Sequence, residues 1–286
     1  MQTTRTDLAL EQTPDTLPEG ITLTRRGKEF AVTEIVIDSD AHGAVIGRQK
    51  GRYLTLEHLT PHAPADTLRA QTEELAAELR QFLPVRGAVT VAGLGNQDIT
   101  PDALGPMTAG QILATRHLRR ELSADDTETA FLRDLRPVSV LSNGVLGQTG
   151  IETAELISAL RETVQPVCII AVDALACSEL SRLGTTVQIS DAGISPGSGV
   201  QNRRAELSAR TLGVPVIAVG VPTVVDLHTV VRQAAGEDVP LPEGFPNMMV
   251  TPRDIDRLLH HAARLLSLAI NLALHPQFTF ADVEVL

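Results

Sequence analysis

Apolar runs alternate with amphipathic segments along most of the chain. The runs contain few polar positions, which is typical of strands buried on both faces of a sheet. The segments between them repeat apolar residues at helical spacing. One predicted strand begins at residue 88, and four more cover 138–141, 167–176, 185–190 and 215–221. Predicted helices cover 64–82, 107–122, 151–164, 226–235 and 253–274. This alternation predicts an α/β fold, a three-layer sandwich with a mostly parallel sheet.

The N-terminal part has a different pattern. Residues 29–37 alternate between apolar and polar positions, which predicts a strand, and residues 44–46 and 52–56 are predicted as shorter strands. These strands are expected to form a small antiparallel addition to the main sheet. Residues 1–27 show little periodicity and are predicted to be a mobile N-terminal arm, followed by a single α/β domain over residues 28–286.

Two of the buried runs lead directly to a carboxylate. The first run ends at Gly93 and Gly95 and delivers Asp102 into a loop, and the run 167–176 contains Asp173 near its end. Ligands of open α/β sheets bind outside the carboxyl ends of such strands, so one cleft with two acids is expected. Asp191, which follows the run 185–190, is a third candidate. The Gly, Pro and Ser content of residues 192–204 predicts a functional loop beside the cleft.

Composition excludes several classes of protein. The net charge is −11 and aromatic residues make up 2% of the chain, which argues against a nucleic-acid-binding surface. No run approaches the roughly 18 apolar residues of a membrane span, and the N-terminus lacks the apolar core of a secretory signal, so a cytoplasmic protein is expected. Cys168 and Cys177 form no disulfide or zinc pattern and are predicted to pack in the core.

Sequence motifs narrow the chemistry further. Asp98 stands where a GxGxxG motif would have its third glycine, and no P-loop or GxSxG sequence is present. Two carboxyl groups in one cleft can share a proton, with one acting on a peptide carbonyl and the other on water. The alternative is a divalent metal ion held by Asp and His residues, for which His228 is the best-placed histidine. The residues alone leave both alternatives open.

Several stretches resemble the germination protease family, the endopeptidases of spore-forming bacteria. They are RTDLALE (5–11), GRYLTLE (51–57), GLGN and TPDALGP (within 93–106), TRHL (115–118), RPVS (136–139), TGIET (149–153), AVDALA (171–176), QISDAGISPGSGVQN (188–202), GVPTVVD (220–226) and MVTPRDID (249–256). The resemblance implies a fold related to hydrogenase-maturation proteases, an aspartic-type mechanism without a cofactor, and Asp102 and Asp173 as the catalytic pair. Because the related maturation proteases bind metal at the corresponding positions, the metal alternative stays open. A serine, Ser195, stands where the family commonly has a histidine, which favours the metal-free reaction.

The resemblance also implies a substrate and a life cycle. The substrates would be small acid-soluble spore proteins, and the enzyme would be a zymogen and a homotetramer in the cytoplasm of the forespore and spore core. The segment Asp7 to Glu11 imitates the family's cleavage motif, so self-cleavage between Asp7 and Leu8 is expected, with residues 1–7 as the propeptide. The region 227–248 is shorter than usual in the family. Expected cleft residues are Gly93, Gly95, Asn96, Asp191, Ser195, Gly197, Ser198 and Gly199.

Overall fold

A computed structural model describes residues 6–60, 63–118, 130–197, 205–236, 242, 244–246 and 248–285. Within these residues nine strands form one sheet in the order β1-β2-β3-β7-β8-β6-β4-β5, and β9 pairs with β8 outside this path. The strands are β1 (Ile21–Arg26), β2 (Ala31–Ile37), β3 (Gly51–Glu57), β4 (Val89–Gly93), β5 (Val138–Leu141), β6 (Cys168–Cys177), β7 (Thr186–Ser190), β8 (Val216–Asp226) and β9 (Met249–Val250).

Helices cover both faces of this sheet. The longer ones are α1 (Ala65–Arg80), α2 (Leu104–Ala109), α3 (Thr153–Val164), α4 (Leu227–Ala235) and α5 (Ile255–Leu274). Short α-helices span Asp40–Gly43, Ala130–Arg133, Leu146–Thr149, Ala209–Leu212 and Phe280–Glu284, and 3-10 turns span Ala9–Gln12, Ala44–Ile46, Thr100–Asp102 and Leu180–Arg182. Among the described helices, none has the length and apolar character needed to span a membrane.

Strand β6 shows how the three layers are held together. Because side chains alternate along a strand, Ile170 and Val172 join the core formed with α1, α2 and α5. Ile169 and Ala171 point to the other face and pack with Ile157 of α3. Both faces are apolar because both are covered, which is why the sequence of this strand reads as a continuous apolar run. The predicted three-layer α/β fold is confirmed.

Strand direction changes at β8. The pairs β8-β6, β6-β4 and β4-β5 are parallel. The pairs β1-β2, β2-β3, β3-β7 and β7-β8 are antiparallel. The expected antiparallel addition is therefore present, and it reaches the parallel strands through β7.

Three local predictions differ from the structure. Residues 44–46 form a 3-10 turn rather than a strand, because Gly47 adopts a left-handed conformation with φ +68° and ends the turn. The helix expected over residues 107–122 is the shorter α2, which reaches its C-cap at Gly110. The described part of the N-terminal arm packs on the domain: β1 pairs with β2, and Leu8 and Ala9 are fully buried.

Candidate active site

Asp173 is held in the sheet itself. It lies on β6, continues the series of side chains that face α3, and is only 5% exposed. One of its carboxylate oxygens accepts a hydrogen bond from the Ala174 amide at 2.9 Å. In the neighbouring strand it pairs with Gly220, where a Cβ atom would come within 2.5 Å of the Asp173 carbonyl oxygen. The tight backbone packing at Gly220 fixes the position of the acid.

Asp102 comes from the loop that follows β4. It ends the 3-10 turn Thr100–Asp102, and its carboxylate accepts a hydrogen bond from the Asn96 amide at 2.8 Å, which closes the loop. Gly95 has φ +111°, and a Cβ atom there would lie 2.0 Å from the Asp102 carbonyl oxygen. Only glycine fits this conformation and this close approach. The Gly-Asn turn of the sequence is therefore what presents Asp102.

Backbone contacts dock this loop on the middle of β6, which continues beyond Asp173 to Cys177 instead of ending in the acid as the sequence predicted. The Leu94 amide donates to the Val172 carbonyl at 2.8 Å, one residue before Asp173. At Gly105 of α2, a Cβ atom would come within 2.2 Å of the Leu94 oxygen and 2.4 Å of the Val172 oxygen. Gly93 is equally crowded, since a Cβ atom there would lie 2.3 Å from the Gly105 oxygen. These contacts bring the Asp102 loop next to the part of β6 that carries Asp173.

Asp102 and Asp173 line the same cavity, which has a volume of about 320 Å³. The lining comes from the loop after β4, the residues at and before the start of α3, the later parts of β6 and β8, residues 196–197, β9 with the segment after it, and the N-terminal segment. Its members are Asp7, Leu94, Gly95, Ile99, Pro101, Asp102, Val145, Thr153, Asp173, Ala174, Leu175, Ala176, Pro196, Gly197, Thr223, Val224, Met249 and Thr251. The cavity thus has carboxylates on a mostly apolar wall.

The other expected cleft residues divide into three groups. Gly95 and Gly197 line the cavity, while Gly93 lies behind it and Asn96 holds the Asp102 loop and bonds Gln148. Ser195 and Asp191 are not among the lining residues. Ser198 and Gly199 lie outside the described residues.

Asp191 has a structural contact instead of a place in the cavity. Its carboxylate accepts a hydrogen bond from the Arg52 amide at 2.7 Å. The reason is strand direction: β7 runs antiparallel to β8, with Gln188 opposite Gly220 and Ser190 opposite Ala218. The carboxyl end of β7, which leads to Asp191, therefore lies farther from Asp173 than Gln188 does.

The N-terminal segment enters the cavity beside the two acids. The Asp7 amide donates to the Ala176 carbonyl at 2.8 Å, and the Ala176 amide donates to a carboxylate oxygen of Asp7 at 2.8 Å. The next residue, Leu8, is fully buried in an apolar cluster with Leu175, Cys177 and Val225. Asp7, on the amino-terminal side of the expected cut, therefore forms part of the cavity wall, and Leu8 is packed beside it.

Glu11 anchors this segment further along. Its carboxylate accepts hydrogen bonds from the Ser178 amide at 2.6 Å, the Ser178 hydroxyl at 2.7 Å and the Glu179 amide at 3.0 Å. It also pairs with Arg182 at 3.4 Å and bonds the Thr6 hydroxyl. Residues 6–11 are thus fixed at both ends to the strand that carries Asp173 and to the turn that follows it.

Other candidate groups play no part in the cavity. His228 packs on Phe245, with 5.4 Å between ring centroids, and is not a lining residue. Burial raises the pKa of Cys168 to about 11 and that of Cys177 to about 12, so both thiols are protonated at neutral pH. Within the part of the chain that the structure describes, no three His, Cys, Asp or Glu residues are grouped to hold a metal ion.

Sequence reasoning missed the threonines of the cavity. Thr153, Thr223 and Thr251 line it, and the Thr251 hydroxyl donates to the Thr223 carbonyl at 2.8 Å. Thr223 is the extra residue where the pairing of β6 and β8 shifts, a β-bulge that changes the direction of a side chain. A bulge depends on two distant strands, so no local signal in the sequence predicts it.

Comparisons with known proteins relate this chain to peptidases. The family model described as "Germination protease" matches residues 3–236. A germination protease of Clostridium tetani is 38% identical over 91% of this chain and 89% of its own length. That of Caldanaerobacter subterraneus subsp. tengcongensis is 36% identical over 99% and 97%. That of Bacillus cytotoxicus is 34% identical over 96% and 94%.

Solved structures also match. One of them is the [NiFe] hydrogenase maturation protease HycI from Thermococcus kodakarensis KOD1, which shares 15% identity with a TM-score of 0.36 and covers 68% of this chain and 98% of its own.

Proposed function

Because the chain belongs to the germination protease family, we propose that it cleaves its protein substrates with a catalytic pair of aspartates, Asp102 and Asp173. One observation carries this proposal: both acids and Asp7, the residue before the expected cut, line the same cavity. A peptide bond that follows Asp7 would meet two carboxyl groups there. The family assignment makes the chain a peptidase that acts in germination, and the pair supplies its chemistry.

The proposed reaction is addition of water to a peptide carbonyl. One carboxylate takes a proton from water while the other, as a carboxylic acid, hydrogen-bonds the carbonyl oxygen. The water oxygen bonds to the carbonyl carbon, the carbon–nitrogen bond then breaks, and the proton reaches the leaving nitrogen. The products are a new carboxylate and a new amine. A single proton shared by Asp102 and Asp173 is sufficient for this cycle.

We propose that the first substrate is the chain's own N-terminus. The Asp7 carboxylate is bonded to the Ala176 amide, and Leu8 fills an apolar pocket, so residues on both sides of the bond are already seated. Cleavage between Asp7 and Leu8 would remove residues 1–7 and convert a zymogen to the active enzyme. Small acid-soluble spore proteins that place an acidic residue and a large apolar residue in the same positions would follow as substrates.

The assembly and the location are part of the same proposal. We expect a homotetramer, even with the short 227–248 region, and activity in the forespore and the spore core. Size-exclusion chromatography with light scattering checks the first expectation, and a monomer at micromolar concentration contradicts it. Imaging of a tagged chain in sporulating cells checks the second.

The test compares the wild-type chain with Asp102→Asn and Asp173→Asn. Each variant removes one titratable group with almost no change in shape, so folding should be retained and both self-cleavage and cleavage of an added spore protein should stop. Mass spectrometry of the N-terminus and circular dichroism are the measurements. Turnover that persists in both single variants overturns the assignment of the pair.

A chelator separates the proposed reaction from its metal-dependent alternative. Aspartates that act directly on water leave activity unchanged in EDTA. Activity that is lost in EDTA and restored by one divalent ion supports the alternative, in which Asp102 and Asp173 hold the ion. Metal analysis of the purified protein completes the comparison.

A further inference from the structure

A buried glutamine spans the bond at which the chain is expected to be cut. Gln188 lies on β7 and is 8% exposed. Its Nε2 atom donates to the Asp7 carbonyl oxygen at 2.8 Å, and its Oε1 atom accepts from the Ala9 amide at 2.7 Å. The side-chain amide therefore holds the backbone on both sides of Leu8, and the carbonyl of the Asp7–Leu8 bond is one of the two groups that it binds.

The sheet brings Gln188 and Asp173 to the same face. Gly220 of β8 pairs with Asp173 on one side and with Gln188 on the other. Residues that pair across strands point to the same face, and Val187 and Ile189 belong to the core on the opposite face. Gly220 has no side chain, and the Leu175 side chain of β6 fills the space beside it, 2.7 Å from where a Cβ atom would lie. Residues 7–9 pass next to Gln188, whose side chain bonds Asp7 and Ala9.

We propose that Gln188 is a catalytic residue, the group that stabilises negative charge on the carbonyl oxygen during hydrolysis. This inference rests on the proposed function of Asp102 and Asp173. As water adds to the Asp7 carbonyl carbon, the electron pair of the C=O double bond moves to the oxygen that Gln188 already contacts. The pair returns when the bond to the Leu8 nitrogen breaks and that nitrogen takes the proton that water lost. A fixed N–H donor strengthens as the charge grows.

The same contact would serve a substrate from another protein. The Asp7 carbonyl and the Ala9 amide are backbone groups, so the contact depends on the course of the chain and not on its side chains. Any acceptable peptide would offer the same two groups, one before the cut and one after it. Gln188 would therefore act on every substrate.

The experiment measures the first-order rate of self-cleavage in wild type, Gln188→Glu and Gln188→Ala. Glutamate keeps the acceptor for the Ala9 amide and loses the donor to the Asp7 oxygen. Loss of one oxyanion donor lowers a rate by about 10²- to 10³-fold, and both variants should fall in this range. The second variant keeps the test valid if the first does not fold.

Seating of the segment is measured separately, in an Asp102→Asn background that prevents cleavage. Hydrogen exchange of the Asp7 amide is suitable, because this amide donates to Ala176 and not to Gln188. The proposal expects exchange to stay within a few fold of the parent while the rate of cleavage falls. If the cleavage rate falls only as far as the Asp7 amide loses protection against exchange, Gln188 merely holds the segment in place, and the proposal is overturned.

Gln71→Glu is the matched control. Gln71 of α1 is also buried and also bridges two residues of one segment, since it donates to the His58 carbonyl and accepts from the Thr60 amide. Its two partners lie in the segment after β3 and not in the N-terminal segment at the expected cut, so the cleavage rate of Gln71→Glu should stay near that of wild type. If wild type is cut and Gln188→Glu is cut equally fast, this inference alone is wrong. If wild type is not cut, the proposed function fails as well.

Discussion

The anchor at Glu11 allows a quantitative test of how the N-terminal segment is held. Its side chain is 1% exposed, and three donors on Ser178 and Glu179 lie within 3.0 Å of its carboxylate. Glu11→Ala removes all of these bonds. Glu179 is exposed and can bond water, Arg182 keeps Glu57 at 2.9 Å, and the Thr6 hydroxyl keeps the Ala176 carbonyl at 3.5 Å, so the donors of buried Ser178 are the ones that lose their partner without replacement.

The expected loss follows from these contacts. Hydrogen bonds to a charged group contribute about 1.5–3 kcal/mol, and a buried donor without a partner costs about 1–3 kcal/mol. Because the contributions overlap, we expect the free energy of detaching residues 6–12 to fall by about 3 kcal/mol. At 1.4 kcal/mol for each factor of ten, the detached state becomes about 100-fold more populated.

Hydrogen exchange of the Leu8 and Ala9 amides measures this population. The Asp102→Asn background is expected to prevent cleavage during the experiment, and Glu11→Ala should exchange about 100-fold faster than its parent. Glu73→Ala is the control, because Glu73 pairs with Arg69 at the surface with 49% of its side chain exposed and should have almost no effect. Equal exchange in the two variants would refute the idea that Glu11 anchors the segment.

Two further predictions concern the Asp102 loop and a buried histidine. Gly95→Ala should slow self-cleavage strongly, because the new methyl group would lie 2.0 Å from the Asp102 carbonyl oxygen. Gly47→Ala is the control: Gly47 has φ +68° but open space around it, so this variant should lose about 1–2 kcal/mol of stability and keep its cleavage rate. Equal cleavage rates in the two variants would contradict this reasoning. Burial lowers the pKa of His275 from 6.5 to about 4, so the unfolded chain binds a proton before the folded chain does and stability falls as pH decreases from 6.5 to 4. Urea unfolding at pH 7 and pH 5 should show that the free energy of unfolding depends less on pH in His275→Leu than in wild type, by on the order of 1 kcal/mol for each pH unit. Identical pH dependence in the two proteins would exclude the histidine as the cause.

The sequence predicted the parts of the site that depend on local pattern. An uninterrupted apolar run that stops at Gly93 indicates a buried strand with a loop at its end, so Asp102 could be placed without a structure. The parallel arrangement of the strand that holds Asp173 followed from the alternation of strands and helices. The direction of β7 is not encoded locally. Asp191 was expected in the cleft because it follows this strand, but β7 runs antiparallel to β8, so its carboxyl end points away from the cleft.

The N-terminal segment was harder to predict because its structure comes from distant residues. Its few apolar positions show no period, and Glu11 reads as an ordinary surface acid until Ser178 is placed beside it. The bulge at Thr223 and the bridge made by Gln188 likewise depend on chain positions more than 40 residues away. Patterns along a sequence cannot report such pairs.

The burial of Leu8 would make the proposed first cleavage hard to reverse. In the intact chain the Leu8 nitrogen is a neutral amide that donates to the Thr6 hydroxyl at 3.0 Å, and no part of the residue reaches solvent. Hydrolysis would turn this nitrogen into an ammonium ion and separate it from Thr6. The apolar cluster that buries the Leu8 side chain offers this positive charge no partner, so keeping the new end in place would be unfavourable. The severed end would therefore be driven out into water, so the enzyme would vacate its own cleft and rejoining of the two pieces would be opposed.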